Sequence, residues 1–228
     1  MTALVGITGR AQHGKDSFGK VLVEEQGYKR YGFADKLKEL ALYINPLIDV
    51  KTRLVFDPVG QDEEEDRVFE RGELRLAKLV EDIGWEGAKQ YPEVRRFLQE
   101  LGTGVRDCIA ENAWVVALSR QWNEDGKPNA VITDVRFPNE AAWVRGNDGI
   151  MVRVKRTRGG APFDNGLGLD HESEAHVDSL PVNQEVTIES GDMKSLRDYA
   201  WGVGGAGLMG MKEPGKATEP PPAEMADV

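Results

Sequence analysis

One stretch constrains this chain more than any other: Gly9-Arg10-Ala11-Gln12-His13-Gly14-Lys15-Asp16-Ser17. It matches G-x-x-x-x-G-K, and its flanks agree with the motif. Ala3 to Thr8 is a short apolar run rich in β-branched residues, which predicts a buried strand. Phe18, Val21 and Leu22 then follow with helical spacing. Glycines at such a strand-to-helix turn let the backbone curl so that several N–H groups face phosphate oxygens. The helix start adds about half a positive charge at the same place, and Lys15 reaches the β- and γ-phosphates as a mobile point charge. Gly9, Arg10, Gln12, His13, Gly14, Lys15, Asp16 and Ser17 are therefore the candidate nucleotide-binding residues. The bland alternative is a glycine-containing turn with no ligand.

The residue after the lysine departs from the usual Ser or Thr, whose hydroxyl binds magnesium. Asp16 stands there, with Ser17 next. Asp16 is a hard oxygen donor that suits Mg²⁺ directly or through water. Alternatively it only improves the first helical turn, and Ser17 or water serves the metal.

A second acid ends a second apolar run. Ala130 to Thr133 predicts a strand, and Asp134-Val135-Arg136 follows it. In phosphate-loop enzymes a magnesium-linked Asp belongs at such a strand end. In an open parallel sheet that end faces the same crevice as the loop. Asp134 is thus a candidate metal ligand and catalytic residue, against the alternative of an Asp that starts the turn before Pro138. Arg136 is placed to meet an acceptor phosphate. Asn139 and Glu140 are either the cap and first turn of the next helix or ligand contacts. Phosphoryl transfer needs aligned substrates and stabilised charge, so further arginines should converge. Arg106, Arg153, Arg156 and Arg158 are the candidates, the last two at the root of a loop over 155–172 that reads as a lid.

Composition bounds the partners. The 228 residues hold 29 Lys and Arg against 39 Asp and Glu, a net charge of -10 with a pI near 4.9. That argues against gripping a nucleic-acid backbone but leaves small polyanions open. No apolar run approaches the ~18 residues of a membrane helix. A single cysteine, Cys108, excludes an intrachain disulfide framework. It sits in an apolar pattern that predicts packing, and a reducing cytoplasm fits. His13 lies where many loop side chains point outward. His171 suits a lid or acceptor contact, and no role is assigned to His176. Trp114, Trp122 and Trp143 read as core or interface residues.

Strand and helix signals alternate along the chain, predicting an α/β fold with a mainly parallel sheet between helical layers. Tyr28 to Phe33 reads as a strand. Leu37, Leu40, Ala41 and Ile44 mark a helix that Pro46 ends. The acidic block Asp62 to Asp66 reads as a solvated loop or helix start. Helical periods follow at 76–83, 94–101 and 105–118. Pro138 can open a further helix, Ile150–Val154 and Val186–Ile188 are strands, and Asp192–Trp201 is the closing helix. Residues 1–201 form the expected domain. From Gly202 to Val228, six glycines and four prolines without apolar period predict a disordered tail.

Taken in order, Gly9-x4-Gly14-Lys15-Asp16-Ser17, Phe33-Ala34-Asp35-Lys36-Leu37-Lys38, Leu101-Gly102-Thr103 with Arg106, Asp134-Val135-Arg136-Phe137-x-Asn139-Glu140 and His171-x-Ser173-Glu174 resemble the deoxynucleoside monophosphate kinases of bacteriophages. The resemblance spans about residues 4 to 200, and the Gly-Lys-Asp-Ser form is similar to that family's own loop. It implies a three-layer phosphate-loop kinase fold, ATP and Mg²⁺, and transfer of the γ-phosphoryl group to a deoxynucleoside 5′-monophosphate in a host cytoplasm. It implies that residues 45 to 125 form a helical acceptor-binding insertion. Phe33, Asp35, Lys36, Arg106, Arg136, Asn139, Glu140, His171 and Glu174 would then be acceptor-side residues, with Arg156 and Arg158 in the lid. A homodimer stays open. The competing readings are a phosphate-loop kinase of another phosphorylated small molecule and a nucleotide-binding switch without turnover.

Overall fold

The computed structural model describes residues 2–56, 67–162 and 176–208. They fall into two units, 1–34 with 114–228 and 35–113. The acidic block at 62–66, His171 and Glu174 lie outside the described residues, as does most of the expected lid.

In the first unit the apolar runs become parallel strands: β1 (Leu4–Thr8), β2 (Lys29–Tyr31), β5 (Ala130–Ile132), β6 (Ile150–Arg158) and β8 (Gln184–Glu189). Their order is β2-β5-β1-β6-β8. A short β7 (Ala161–Pro162) turns back antiparallel on β6. Every residue of β1 is buried, as expected of a central strand covered on both faces. The chain first winds to one side of β1 and then crosses to β6 on the other. That reversal opens a crevice beyond the carboxyl ends of the strands. The fold of this unit is the expected α/β arrangement, a mostly parallel five-stranded sheet between helices.

Two cores cover the sheet. On one face α1 (Lys15–Gln26) and the C-terminal helix, here α7 (Met193–Leu208), bury Phe18, Leu22, Leu196 and Val203 against Val5, Ile7 and Val152. On the other, α5 (Ala113–Glu124) and α6 (Pro138–Gly146) bury Val115, Leu118, Trp122 and Val144 against Leu4, Ile132 and Met151. Trp122 and Trp143 meet edge to face at 5.6 Å, and Trp114 and Trp122 are core residues.

The last helix does not stop at Trp201. It continues to Leu208, with Val203 and Ala206 buried. Composition misleads there because the glycines are contact points rather than breaks. A Cβ on Gly204 would lie 2.1 Å from Gln26 Oε1 and 2.7 Å from Leu22 Cδ2. Only a bare Cα lets α7 approach α1 this closely, and Tyr28 adds a hydroxyl donated to the Gly204 carbonyl at 2.8 Å.

The second unit is not wholly helical. Most of α2 (Phe33–Ile44) is followed by an antiparallel pair, β3 (Leu47–Phe56) and β4 (Arg67–Arg75), then α3 (Leu76–Ala88) and α4 (Pro92–Cys108). Gly84 breaks the helical path inside α3. Its small core joins Ala41, Leu76, Leu79, Ala88 and Val94. The expected helix over 105–118 is absent as such. Its first part extends α4, and the chain breaks at 109–112 before α5 begins. Cys108 and Ile109 are exposed at that break, so the cysteine is not a packing residue.

Candidate active site

The loop after β1 curls as the motif requires. Gly9, Gln12 and Gly14 all have positive φ, at 144°, 63° and 93°. Gly9 also passes so close to β6 that a Cβ would lie 2.4 Å from the Val154 carbonyl oxygen. Glycine is therefore required twice over, by conformation and by space. Lys15 opens α1 with its stem buried, and its ammonium donates to the carbonyl oxygens of Gly9 at 2.6 Å and Arg10 at 2.7 Å. Asp16 is exposed in the first turn of α1 and Ser17 is half-buried beside it. His13 does not point outward; it is buried.

Cations at the loop come from the loop itself and from β6. Arg10 pairs with Asp178 at 2.5 Å. Arg156, on β6, donates to the carbonyl oxygen of Gln12 at 3.2 Å, so this lid candidate touches the phosphate loop itself. Arg153 is buried. It pairs with Glu185 at 3.1 Å and donates to the Leu180 carbonyl, while Lys155 takes the other oxygen of Glu185 at 2.7 Å. The hydrogen bond from Lys155, reinforced by Arg153, holds the Glu185 carboxyl below the usual range despite partial burial. These groups line a cavity of about 520 Å³ beside Gly9 and His13. A smaller recess of about 110 Å³ lies on the α7 side, lined by Gly14, Arg156, Ile188, Gly191 and Met193 among others.

The end of β8 clasps the turn after β6. Glu189 accepts from the Thr157 hydroxyl at 2.6 Å and from the Gly159 and Gly160 N–H groups. Those bonds hold its carboxyl below the usual range, the Thr157 hydroxyl most of all. Arg158 opens that turn, exposed. Sequence reasoning missed Glu189, Glu185 and Asp178. Their partners lie about thirty residues away or more, and no local pattern announces such pairings.

The Asp134 string is built differently from a ligand cluster. Val135 N–H bonds to the Ile7 carbonyl at 3.2 Å, which fixes the string beside the end of β1. Asp134 accepts from the N–H groups of Phe33 at 3.0 Å and Ala34 at 2.9 Å. Phe33 thus belongs to the start of α2 and not to a strand. Glu140 is buried and accepts from the Arg136 and Phe137 N–H groups at 2.8 and 3.1 Å, and Asn139 Oδ1 accepts from Glu140 N–H at 3.0 Å. The geometry of these two residues is that of a helix start. Arg136 is half-buried.

Asp35, Lys36 and Arg106 belong to the second unit. Lys36 pairs with Glu39 at 2.7 Å within α2, and Arg106 is half-buried in the last turn of α4.

Among the described residues no group of three or more His, Cys, Asp or Glu could enclose a metal ion. Asp16 and Ser17 do fit Mg²⁺, which keeps several waters and needs only one or two protein oxygens besides phosphate. No helix among the described residues is long and apolar enough to cross a membrane.

The chain is similar to the deoxynucleoside-5′-monophosphate kinase of Escherichia phage T5. The two are 27% identical over 240 aligned positions, which span 86% of this chain and 94% of the relative. No protein-family model matches. Two solved structures align with most of this chain, each with a TM-score below 0.4. One is dephospho-CoA kinase from Campylobacter jejuni, 14% identical with a TM-score of 0.39, covering 87% of this chain and 94% of that one. The other is a Chloroflexus aurantiacus protein assigned as a kinase, 11% identical with a TM-score of 0.38, covering 87% and 93%.

Proposed function

We propose that this chain is an ATP-dependent kinase that transfers the γ-phosphoryl group to the 5′-phosphate of a deoxynucleoside monophosphate. The observation that carries the reading is the formed phosphate loop, with Lys15 held at its mouth and Arg156 laid against it. Similarity to the phage T5 enzyme over most of both chains supports the choice of acceptor.

Each residue has a physical task in this reading. The curled backbone of Gly9 to Gly14 and the start of α1 receive the donor's phosphates. Lys15 exchanges the Gly9 and Arg10 carbonyls for phosphate oxygens, which its charge favours. Asp16 and Ser17 hold Mg²⁺, which when bound neutralises charge on the donor's terminal phosphates. Arg136 binds the acceptor's phosphate, and Arg156 and Arg158 follow charge on the transferred group.

A coupled ADP-release assay tests the proposal, with a panel of deoxy- and ribonucleoside monophosphates extended to other phosphorylated small molecules. At least one deoxynucleotide should raise ADP production well above the rate with ATP alone. If none does, the acceptor assignment fails. ATP binding without acceptor-dependent turnover would favour a switch.

A further inference from the structure

We infer that Asp134 is a positioning residue: its carboxylate caps helix α2 from the end of β5 and so fixes the turn that carries Phe33, Asp35 and Lys36. The kinetic consequence rests on the proposed kinase reading; the structural one does not.

The argument begins with a missing side chain. The first N–H groups of a helix have no acceptor within it, and a Ser, Thr, Asp or Asn at the cap position normally supplies one. The residue before α2 is Gly32, buried and without a side chain. Asp134 fills that role from about a hundred residues away. One carboxylate oxygen accepts from Phe33 N–H at 3.0 Å and the other from Ala34 N–H at 2.9 Å. A bidentate carboxylate at this place also meets the positive end of the α2 dipole. It is half-buried, which limits competition from water.

The side chains complete the anchor. Phe33 is 3% exposed and sets its ring edge-on to Trp143 of α6 at 6.2 Å. Glu140, at the third position of α6, reaches back to the Arg136 and Phe137 N–H groups just before that helix, the local counterpart of a cap. The two acids of one short string therefore fix the starts of two helices at the crevice edge. Arg136, proposed to bind the acceptor, is held between them by its own N–H.

Two variants and three readouts test this. In Asp134→Ala, amide exchange over 33–38 should accelerate, and KM for the monophosphate should rise about tenfold or more. The Mg²⁺ midpoint and the KM for ATP should stay within about twofold of wild type. Asp134→Asn keeps one acceptor oxygen and should fall between wild type and Asp134→Ala in both exchange and KM. Unchanged exchange at 33–38 overturns the inference. So does a large shift of the Mg²⁺ midpoint with the acceptor KM unmoved, which is the signature of a metal ligand. If wild type shows no acceptor-dependent turnover, the kinase reading fails, and the exchange measurement still decides whether Asp134 is the cap.

Discussion

The ammonium of Lys15 donates to the carbonyl oxygen of Gly9 at 2.6 Å, across the mouth of the loop that both residues delimit. Under the proposed kinase function, this cation exchanges carbonyl oxygens for phosphate oxygens. Lys15→Ala should leave the fold intact, at a cost of about 1–2 kcal/mol for the lost hydrogen bonds. Phosphoryl transfer should fall by about a hundredfold or more. Circular dichroism and the ADP-release assay check the two halves, and an active variant would overturn the loop assignment.

Gly9 is the position where the loop tolerates least. Its φ of 144° and the 2.4 Å approach of a would-be Cβ to the Val154 carbonyl act together. Gly9→Ala should cost about 2–3 kcal/mol in denaturant titration. Gly27→Ala is the comparison, because Gly27 has a φ of 71° but nothing within 4 Å of a built Cβ. That variant should lose only about 1 kcal/mol. Equal losses would show that crowding against β6 contributes nothing.

The end of α7 offers a truncation test. Ending the chain after Trp201 removes Val203 and Ala206 from the core and the Gly204 carbonyl that Tyr28 contacts. The expected loss is about 3 kcal/mol, summed from one buried valine, one alanine and one hydrogen bond. Ending it after Leu208 keeps all three. Thermal melts of the two truncations should therefore differ by several degrees, with the shorter chain lower. Coincident melts would mean that the last two turns add no stability.

Glu185 predicts a pH dependence with a definite sign. The hydrogen bond from Lys155 chiefly places its carboxyl below the ordinary value of 4.5. A group more acidic in the folded state binds fewer protons there than in the unfolded state, so stability rises with pH through that range. The contribution is complete above 4.5 and is lost as pH falls through the lowered folded value. With the side chain 41% exposed, solvent screening keeps the effect small. Between about pH 5 and pH 3, wild type should therefore lose more melting temperature than Glu185→Gln. Parallel profiles would show that the pair with Lys155 is not stabilising.

The curl of the glycine loop was legible because its determinants are local. Gly9, Gly14 and Lys15 act through spacing along a few consecutive residues, and the strand and helix on either side announce themselves by period. Trp114 and Trp122, read as core or interface residues, are core. Asp134 was legible as an acid at a strand end, but its partners were not, because Phe33 and Ala34 reach it only when β2 and β5 pair. Glu185 and Glu189 left no signal, since strand pairing of β8 with β6 brings them to Lys155 and Thr157. Gly204 misled outright. In composition a glycine reads as a helix breaker, while against Leu22 and Gln26 it is what allows two helices to touch.

The sequence by itself determined the curled glycine turn, its lysine and the strands and helices around them, because curl, charge and period are properties of neighbouring residues. Only the tertiary structure decided what each polar group does there: Asp134 and Glu140 hold helix starts, Arg10 and Lys155 are paired with acids, and Arg156 lies on the loop. The reason is that a carboxylate's partner is set by which backbone N–H or cation lies within about 3 Å of it, and folding alone brings residues distant in the chain that close.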